Sequence, residues 1–244
     1  TVVKYYYHNL KVMAIEYVKK EDLSHLYVPL GNLDIFGLRK LLQENTSSKN
    51  EYLREVKETI RLYEKTKRPS DIDIYLYRCY FKSLLKLADE ADEDIFYSYV
   101  KDTIDFKNIR SLMRANAEGA DLEFLTDILI DGGNIYKDNF YNYLNTKIEP
   151  DSKLFKYSNI YKYVKQGTEF FGKGRSLSRF ELLVDNEMVD LIKNAKKITY
   201  GPEVVFAHVI AKEIELRNLR IIFVAKQNGL SSEFIRERLR DTYV

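Results

Sequence analysis

Punctuation is scarce in this chain. Ten Gly and four Pro are spread over 244 residues, so turns are few and long uninterrupted segments are expected. The single cysteine, Cys79, excludes an internal disulfide and suits a reducing compartment. It stands in the aromatic run Tyr77-Arg78-Cys79-Tyr80-Phe81, where a packed thiol is expected rather than a nucleophile. No apolar run approaches the roughly 18 residues that a membrane-spanning helix needs; Ile221-Ile222-Phe223-Val224-Ala225 is among the longest. Any membrane role is therefore expected to pass through a partner. Neither sign of charge prevails: 39 basic and 37 acidic residues leave a net charge of +2, without the basic stripe of a nucleic-acid binder. No signal-peptide pattern opens the chain. Thr1 stands inside a helical pattern with no initiator Met, which reads as part of a longer protein.

What is present is helical. Hydrophobic residues make up 45% and charged residues 31% of the chain, enough for a buried core under a polar surface. Leu, Ile, Lys and Glu dominate between the few breakers. Apolar residues recur at helical spacing and predict helices over 4–19, 34–43, 49–66, 71–89, 92–117, 121–130, 137–146, 151–165, 177–197, 202–227 and 231–242. Gly201-Pro202-Glu203 places Pro at a first helical position, with an acid in the positive first turn. Asn228-Gly229 closes that helix, and Ser231 is placed to cap the next. Lys67-Arg68-Pro69-Ser70 and Gly172-Lys173-Gly174-Arg175-Ser176 read as connections between lobes.

The most informative pattern is an internal repeat. Tyr7-His8-Asn9-Leu10-Lys11, Phe106-Lys107-Asn108-Ile109-Arg110 and Leu216-Arg217-Asn218-Leu219-Arg220 share an apolar residue, a base or His, Asn, Leu or Ile, and a base. Asp22-Leu23 and Asp121-Leu122 lie at one offset from their Asn, and Gly119 and Gly229 share another. Gly31-Asn32-Leu33 is echoed by Gly133-Asn134-Ile135. Helices opened by Asp73 and Asp185 precede the second and third motifs. The motifs are 99 and 110 residues apart, far beyond a helical solenoid repeat. This spacing predicts three related lobes of several helices each, the first without its upstream helices. An Asn on an apolar helix stripe must find partners, because burying it unpaired costs about 1–3 kcal/mol. Asn9, Asn108 and Asn218 are therefore expected to be equivalent structural pegs. The bases two positions on, Lys11, Arg110 and Arg220, are placed to cap carbonyls, pair with acids or meet a partner.

No catalytic address is visible. Gly167-Thr168-Glu169-Phe170-Phe171-Gly172-Lys173-Gly174 has the glycine and lysine spacing of a phosphate loop. It ends in Gly where a Mg-binding Ser or Thr is needed, and follows a helix end rather than a strand. His8, His25 and His208 are too scattered for a metal cluster. The acidic run from Asp89 to Asp94 lacks the alternation and central Gly of a calcium loop. The 20 tyrosines cluster near bases, but without a basic excess they are expected to pack helix interfaces rather than to stack on nucleic acid. No cofactor is expected.

Tyr7-His8-Asn9-Leu10-Lys11 resembles a signature of the C-type subunits of archaeal-type and V-type ATP synthases, the counterparts of the d-type subunits of eukaryotic V-ATPases. The stretch Lys212-Glu213-Ile214-Glu215-Leu216-Arg217-Asn218-Leu219-Arg220-Ile221-Ile222 resembles the C-terminal part of that family. So do Asn228-Gly229-Leu230, Ile235-Arg236-Glu237-Arg238-Leu239-Arg240 and the turn Gly201-Pro202-Glu203. The resemblance implies an all-α fold of three related lobes, arranged as a funnel with pseudo-threefold symmetry. The lobes are expected over 1–66, 67–175 and 176–244, the first incomplete. It further implies a non-catalytic rotor coupling subunit that joins central-stalk subunits to the membrane proteolipid ring and transmits torque for ATP-linked proton or sodium transport. Such a protein sits peripherally on the cytoplasmic face of the membrane and contacts it through partners only. Lys11, Arg110, Arg217 and Arg220 are the candidate partner-binding residues. A helical scaffold for a peptide or RNA is the alternative, and the repeat length speaks against it.

Overall fold

The computed structural model describes residues 2–46, 48–146, 148, 152–155 and 177–243. Every regular element among them is helical, with no strand. Packing divides the chain into two compact units, Thr1–Lys86 and Leu87–Val244.

The first unit is built on α1 (Val3–Lys19), a 3-10 turn (Ser24–Leu26), α2 (Ile35–Gln43), α3 (Glu51–Thr66) and most of α4 (Ser70–Ala91). Leu10, Met13 and Ala14 of α1 pack with Leu38 and Leu42 of α2, Leu53, Val56 and Ile60 of α3, and Ile72 and Leu76 of α4. The ends are set chemically. The Asp34 side chain accepts from the Gly37 amide and opens α2, and Asn50 accepts from the Leu53 amide and opens α3. Lys67 adopts a left-handed conformation and ends α3 by donating its amide to the Tyr63 carbonyl at 2.7 Å. The chain then passes through Arg68-Pro69 into α4, whose first turn carries Asp71 and Asp73. Tyr7 packs edge-on against Tyr52 and Tyr80, with centroids 6.2 and 5.8 Å away. Its hydroxyl donates to Glu55 at 3.0 Å and shares a 2.9 Å hydrogen bond with Ser83. Burial raises the Glu55 pKa, and the same enclosure, with Glu55 beside it, pushes the Cys79 thiol up to about 12. A thiol held protonated in this way is a packing group, not a nucleophile.

The second unit contains α5 (Asp94–Glu118), α6 (Leu122–Ile128), α7 (Asp138–Tyr141), a 3-10 turn (Lys153–Phe155), α8 (Leu177–Lys193), a second turn (Asn194–Lys197), α9 (Pro202–Gln227) and α10 (Ser232–Arg236). One core gathers Ile109, Leu112, Leu125, Leu129, Phe140, Phe155 and Phe180; a second gathers Val189, Ile192, Ala207, Ile210 and Ile214.

Several helices stop earlier than periodicity predicts, each for a visible reason. The helix expected over 137–146 is reduced to Asp138–Tyr141. Asn116 donates to the Tyr143 and Thr146 carbonyls, and the Asn145 amide donates back to Asn116 at 2.7 Å. These bonds hold the segment in turns. The helices expected over 121–130 and 231–242 end at Ile128 and Arg236, because Ile130 and Arg240 are needed as hydrogen-bonded backbone further on. Of the helix expected over 151–165, only 152–155 lie within the described residues. The 167–174 loop and the 172–176 connection lie outside them.

Candidate functional site

The three repeated asparagines make one and the same contact. Asn9 Nδ2 donates to the Val28 carbonyl at 2.8 Å, and the Val28 amide donates back to Asn9 Oδ1 at 2.9 Å. Asn108 and Ile130 exchange two such bonds, both at 2.8 Å. Asn218 and Arg240 exchange them at 3.0 and 2.9 Å. A primary amide has a donor and an acceptor side by side, which is what one residue of extended backbone requires. The clasp therefore staples a long helix to a segment 19 or 22 residues further along.

Between asparagine and clasped residue the path is also shared. Eleven residues after each Asn stands a left-handed residue: Lys20 at φ 57°, Gly119 at 65° and Gly229 at 68°. Glycine has no Cβ to clash there. Lys20 adopts the conformation with a side chain, so the glycine rule alone does not reveal it. Thirteen residues after each Asn stands a short polar side chain that accepts from a nearby amide. Asp22 accepts from Ser24 at 3.0 Å, Asp121 from Phe124 at 2.8 Å and Ser231 from Phe234 at 3.2 Å.

Three residues beyond the clasp, the first two repeats place Gly31 and Gly133, and the residue three before the Asn holds the loop that follows. The Tyr6 hydroxyl accepts from the Asn32 amide at 2.8 Å. Asp105 accepts from the Asn134 and Ile135 amides, each at 3.1 Å, and Asp102 from the Asn134 side chain at 2.8 Å. Both acids are buried, and burial raises each pKa to about 6.

The bases behave as a series. Lys11 is paired with Asp73 in the first turn of α4. Arg110 is paired with Glu181, near the start of α8, at 2.8 Å. Arg217 bonds Asp185 at 2.6 Å, and the other oxygen of that carboxylate takes Arg240 Nε at 2.8 Å. Asp185 thus anchors the residue that Asn218 clasps. Burial works against the Arg217 cation, but Asp185 outweighs it and the pKa is raised. Lys107 lies among these groups; burial lowers its pKa, with Arg110 and Arg217 adding to the effect. Arg220 is exposed and has no partner among the described residues. Within the described residues no group of His, Cys, Asp and Glu is arranged to hold a metal ion, and no helix is long and apolar enough to cross a membrane.

A family model for the ATP synthase (C/AC39) subunit matches residues 1–238. The chain belongs to the C/AC39 family. The C-type subunit of the V-type sodium ATPase of Enterococcus hirae is 25% identical over 249 residues, covering 99% of this chain and 74% of that protein. The C-type subunits of the A-type ATP synthases of Methanocaldococcus jannaschii and Archaeoglobus fulgidus are each 23% identical, covering 90% and 91% of this chain. The chain spans 58% and 64% of those two relatives. No solved structure gives a significant match.

For this C/AC39 protein, sequence reasoning finds the three asparagines and four bases but misses their counterparts. Val28, Ile130 and Arg240 engage through backbone, so no side-chain pattern marks them. Glu181 is recoverable in principle, as an acid near the start of the helix that precedes the third motif, whereas Asp185, expected to open that helix, lies in its middle because the helix already begins at Leu177.

Proposed function

We propose that this chain is a non-catalytic coupling subunit of a rotary V/A-type ATPase. It sits peripherally at the membrane, joins central-stalk subunits to the proteolipid ring and transmits torque for ATP-linked proton or sodium transport. In this reading three related lobes, bounded near 1–66, 67–175 and 176–244, form a funnel with pseudo-threefold symmetry. The observation that carries the reading is the threefold recurrence of the asparagine clasp in a chain of the C/AC39 family. A torque adaptor needs stiff, repeated packing rather than reactive groups, and close-packed helices stapled at fixed points resist shear.

Lys11, Arg110, Arg217 and Arg220 are proposed as stalk-facing bases. Arg220 comes first to test, because the other three already hold acids of this chain. Affinity capture of the tagged chain from native membranes tests the reading. Central-stalk and proteolipid subunits are expected in the eluate, and Arg220→Glu is expected to deplete the stalk. An eluate with neither of these partners contradicts the proposal.

A further inference from the structure

The second repeat buries charge where the other two do not. Counting from the asparagine, positions −6 and −3 are Asp102 and Asp105, 4% and 0% exposed. In the first repeat they are Val3 and Tyr6. In the third they are Lys212 and Glu215, which pair with each other at 2.7 Å on the surface. An ionised carboxylate taken out of water is costly unless a cation compensates it. Neither Asp102 nor Asp105 has an ion-pair partner among the described residues.

What the two acids hold is a loop. Asp105 takes the amides of Asn134 and Ile135 on its two oxygens, and Asp102 Oδ1 takes the Asn134 side chain. The loop starts just after Ile130 of the clasp and turns at Gly132, where φ is 96°. It brings Gly133 against the Asp105 carboxylate with no room for a side chain. The surrounding charges do little to offset the pair. Lys101, the cation that acts on Asp102, is held over the Tyr97 ring, 5.2 Å from its centroid. The charge that acts on Asp105 is Asp102, itself an acid. Asp131 and Lys137, at the two ends of the loop, pair with each other at 3.9 Å. α6 and α7 carry Glu123, Asp127, Asp138 and Tyr141, and no cation. Glu181 and Asp185 of α8 are taken by Arg110 and Arg217. With the loop docked, burial raises both acids; a lifted loop lets water return them toward the ordinary carboxylate range. The docked state therefore binds a proton more tightly, and by linkage a proton favours docking. Placed on Asp102 Oδ2, that proton removes one charge and leaves all three hydrogen bonds in place.

We propose that Asp102 and Asp105 make the 131–135 loop a proton-operated latch, clamped to α5 when the pair holds a proton and loosened when both acids are ionised. The first repeat has the corresponding loop without the carboxylates, because there the Tyr6 hydroxyl accepts from the Asn32 amide. The latch belongs to the second repeat's own residues and does not require the chain to work in a rotary complex.

The test is amide hydrogen exchange of the whole chain, read residue by residue by NMR at about pH 7 and about pH 5 and corrected for the intrinsic rate at each pH. Protection of the Asn134 and Ile135 amides is expected to rise about tenfold or more from the higher pH to the lower, as a raised carboxylate takes up its proton. The Asn32 amide, held by Tyr6, is the internal reference and is expected to change by less than about twofold. Asp102→Asn keeps an acceptor for the Asn134 side chain and removes one charge. It is expected to raise protection at the higher pH and to make the rise about threefold smaller. In the unmodified chain the carboxyl carbons of Asp102 and Asp105 are followed by NMR over the same range, so the outcome does not depend on how the variant folds. Protection that is equal at the two pH values, that falls at the lower one, or that rises equally at Asn32 overturns the proposal. So does titration of both carboxyl carbons in the ordinary carboxylate range, or an Asp102→Asn chain with the full pH dependence.

Discussion

The clasps at Asn108 and Asn218 use the same two hydrogen bonds in very different surroundings. Asn108 and Ile130 are both buried, whereas Asn218 and its partner Arg240 are each only partly buried. Water can replace the lost partner in the second case but not in the first. Geometry is thus held constant across the repeats while the energy at stake varies with burial. In the third repeat Leu216, Leu219 and Phe223 of α9 are also exposed, where their counterparts in the other two repeats are buried.

Asn108→Ala should break this comparison most sharply. It orphans a buried amide and carbonyl and should destabilise the chain by about 3 kcal/mol, read from urea unfolding. Gly133→Ala should cost about 2 kcal/mol, because its new methyl would meet the Asp105 carboxylate that holds the loop. Asn218→Ala should cost about 1 kcal/mol. Equal losses at Asn108 and Asn218 would show that burial does not set the value of the clasp. Lys20→Gly should gain roughly 0.5–1 kcal/mol by making the first repeat match the glycines of the other two, visible as a higher melting temperature.

The smallest effect concerns the acids that the second repeat buries. Asp102 and Asp105 have folded pKa values raised to about 6, above the ordinary 3.8, because burial disfavours their charge. Their ionisation therefore opposes folding above pH 6, and that penalty is relieved as pH falls from 7 toward 4. Asp102→Asn keeps an oxygen for the Asn134 side chain and removes one of the charges. It should flatten the part of the stability profile between about pH 4 and 6 that these acids supply. An unchanged slope would show that neighbouring groups, such as Lys101, already neutralise Asp102.

Much of this was legible in the sequence. Helical periodicity located the long helices, and the repeated Asn pointed to a polar group in an apolar seam. The Gly119 and Gly229 offsets, together with Asp22 and Asp121, marked the shared path. The clasped residues escaped notice because a backbone amide and carbonyl are common to every residue, and Val28, Ile130 and Arg240 have nothing else in common. Lys20 escaped because a lysine does not advertise a left-handed turn. The shortening of α6, α7 and α10 came from tertiary hydrogen bonds that override local propensity. The ion pairs of Lys11 and Arg110 required knowing which helices adjoin, and single-sequence patterns do not specify that.

The central claim is coupling, and it is tested most directly by comparing transport with hydrolysis. Vesicles carrying the rotary complex, assembled with and without this protein, are assayed for ATP-driven ion uptake and for ATP hydrolysis in the same preparation. The account predicts that uptake is lost without it while hydrolysis continues, and that adding the protein back restores uptake. Undiminished uptake in its absence would contradict the account.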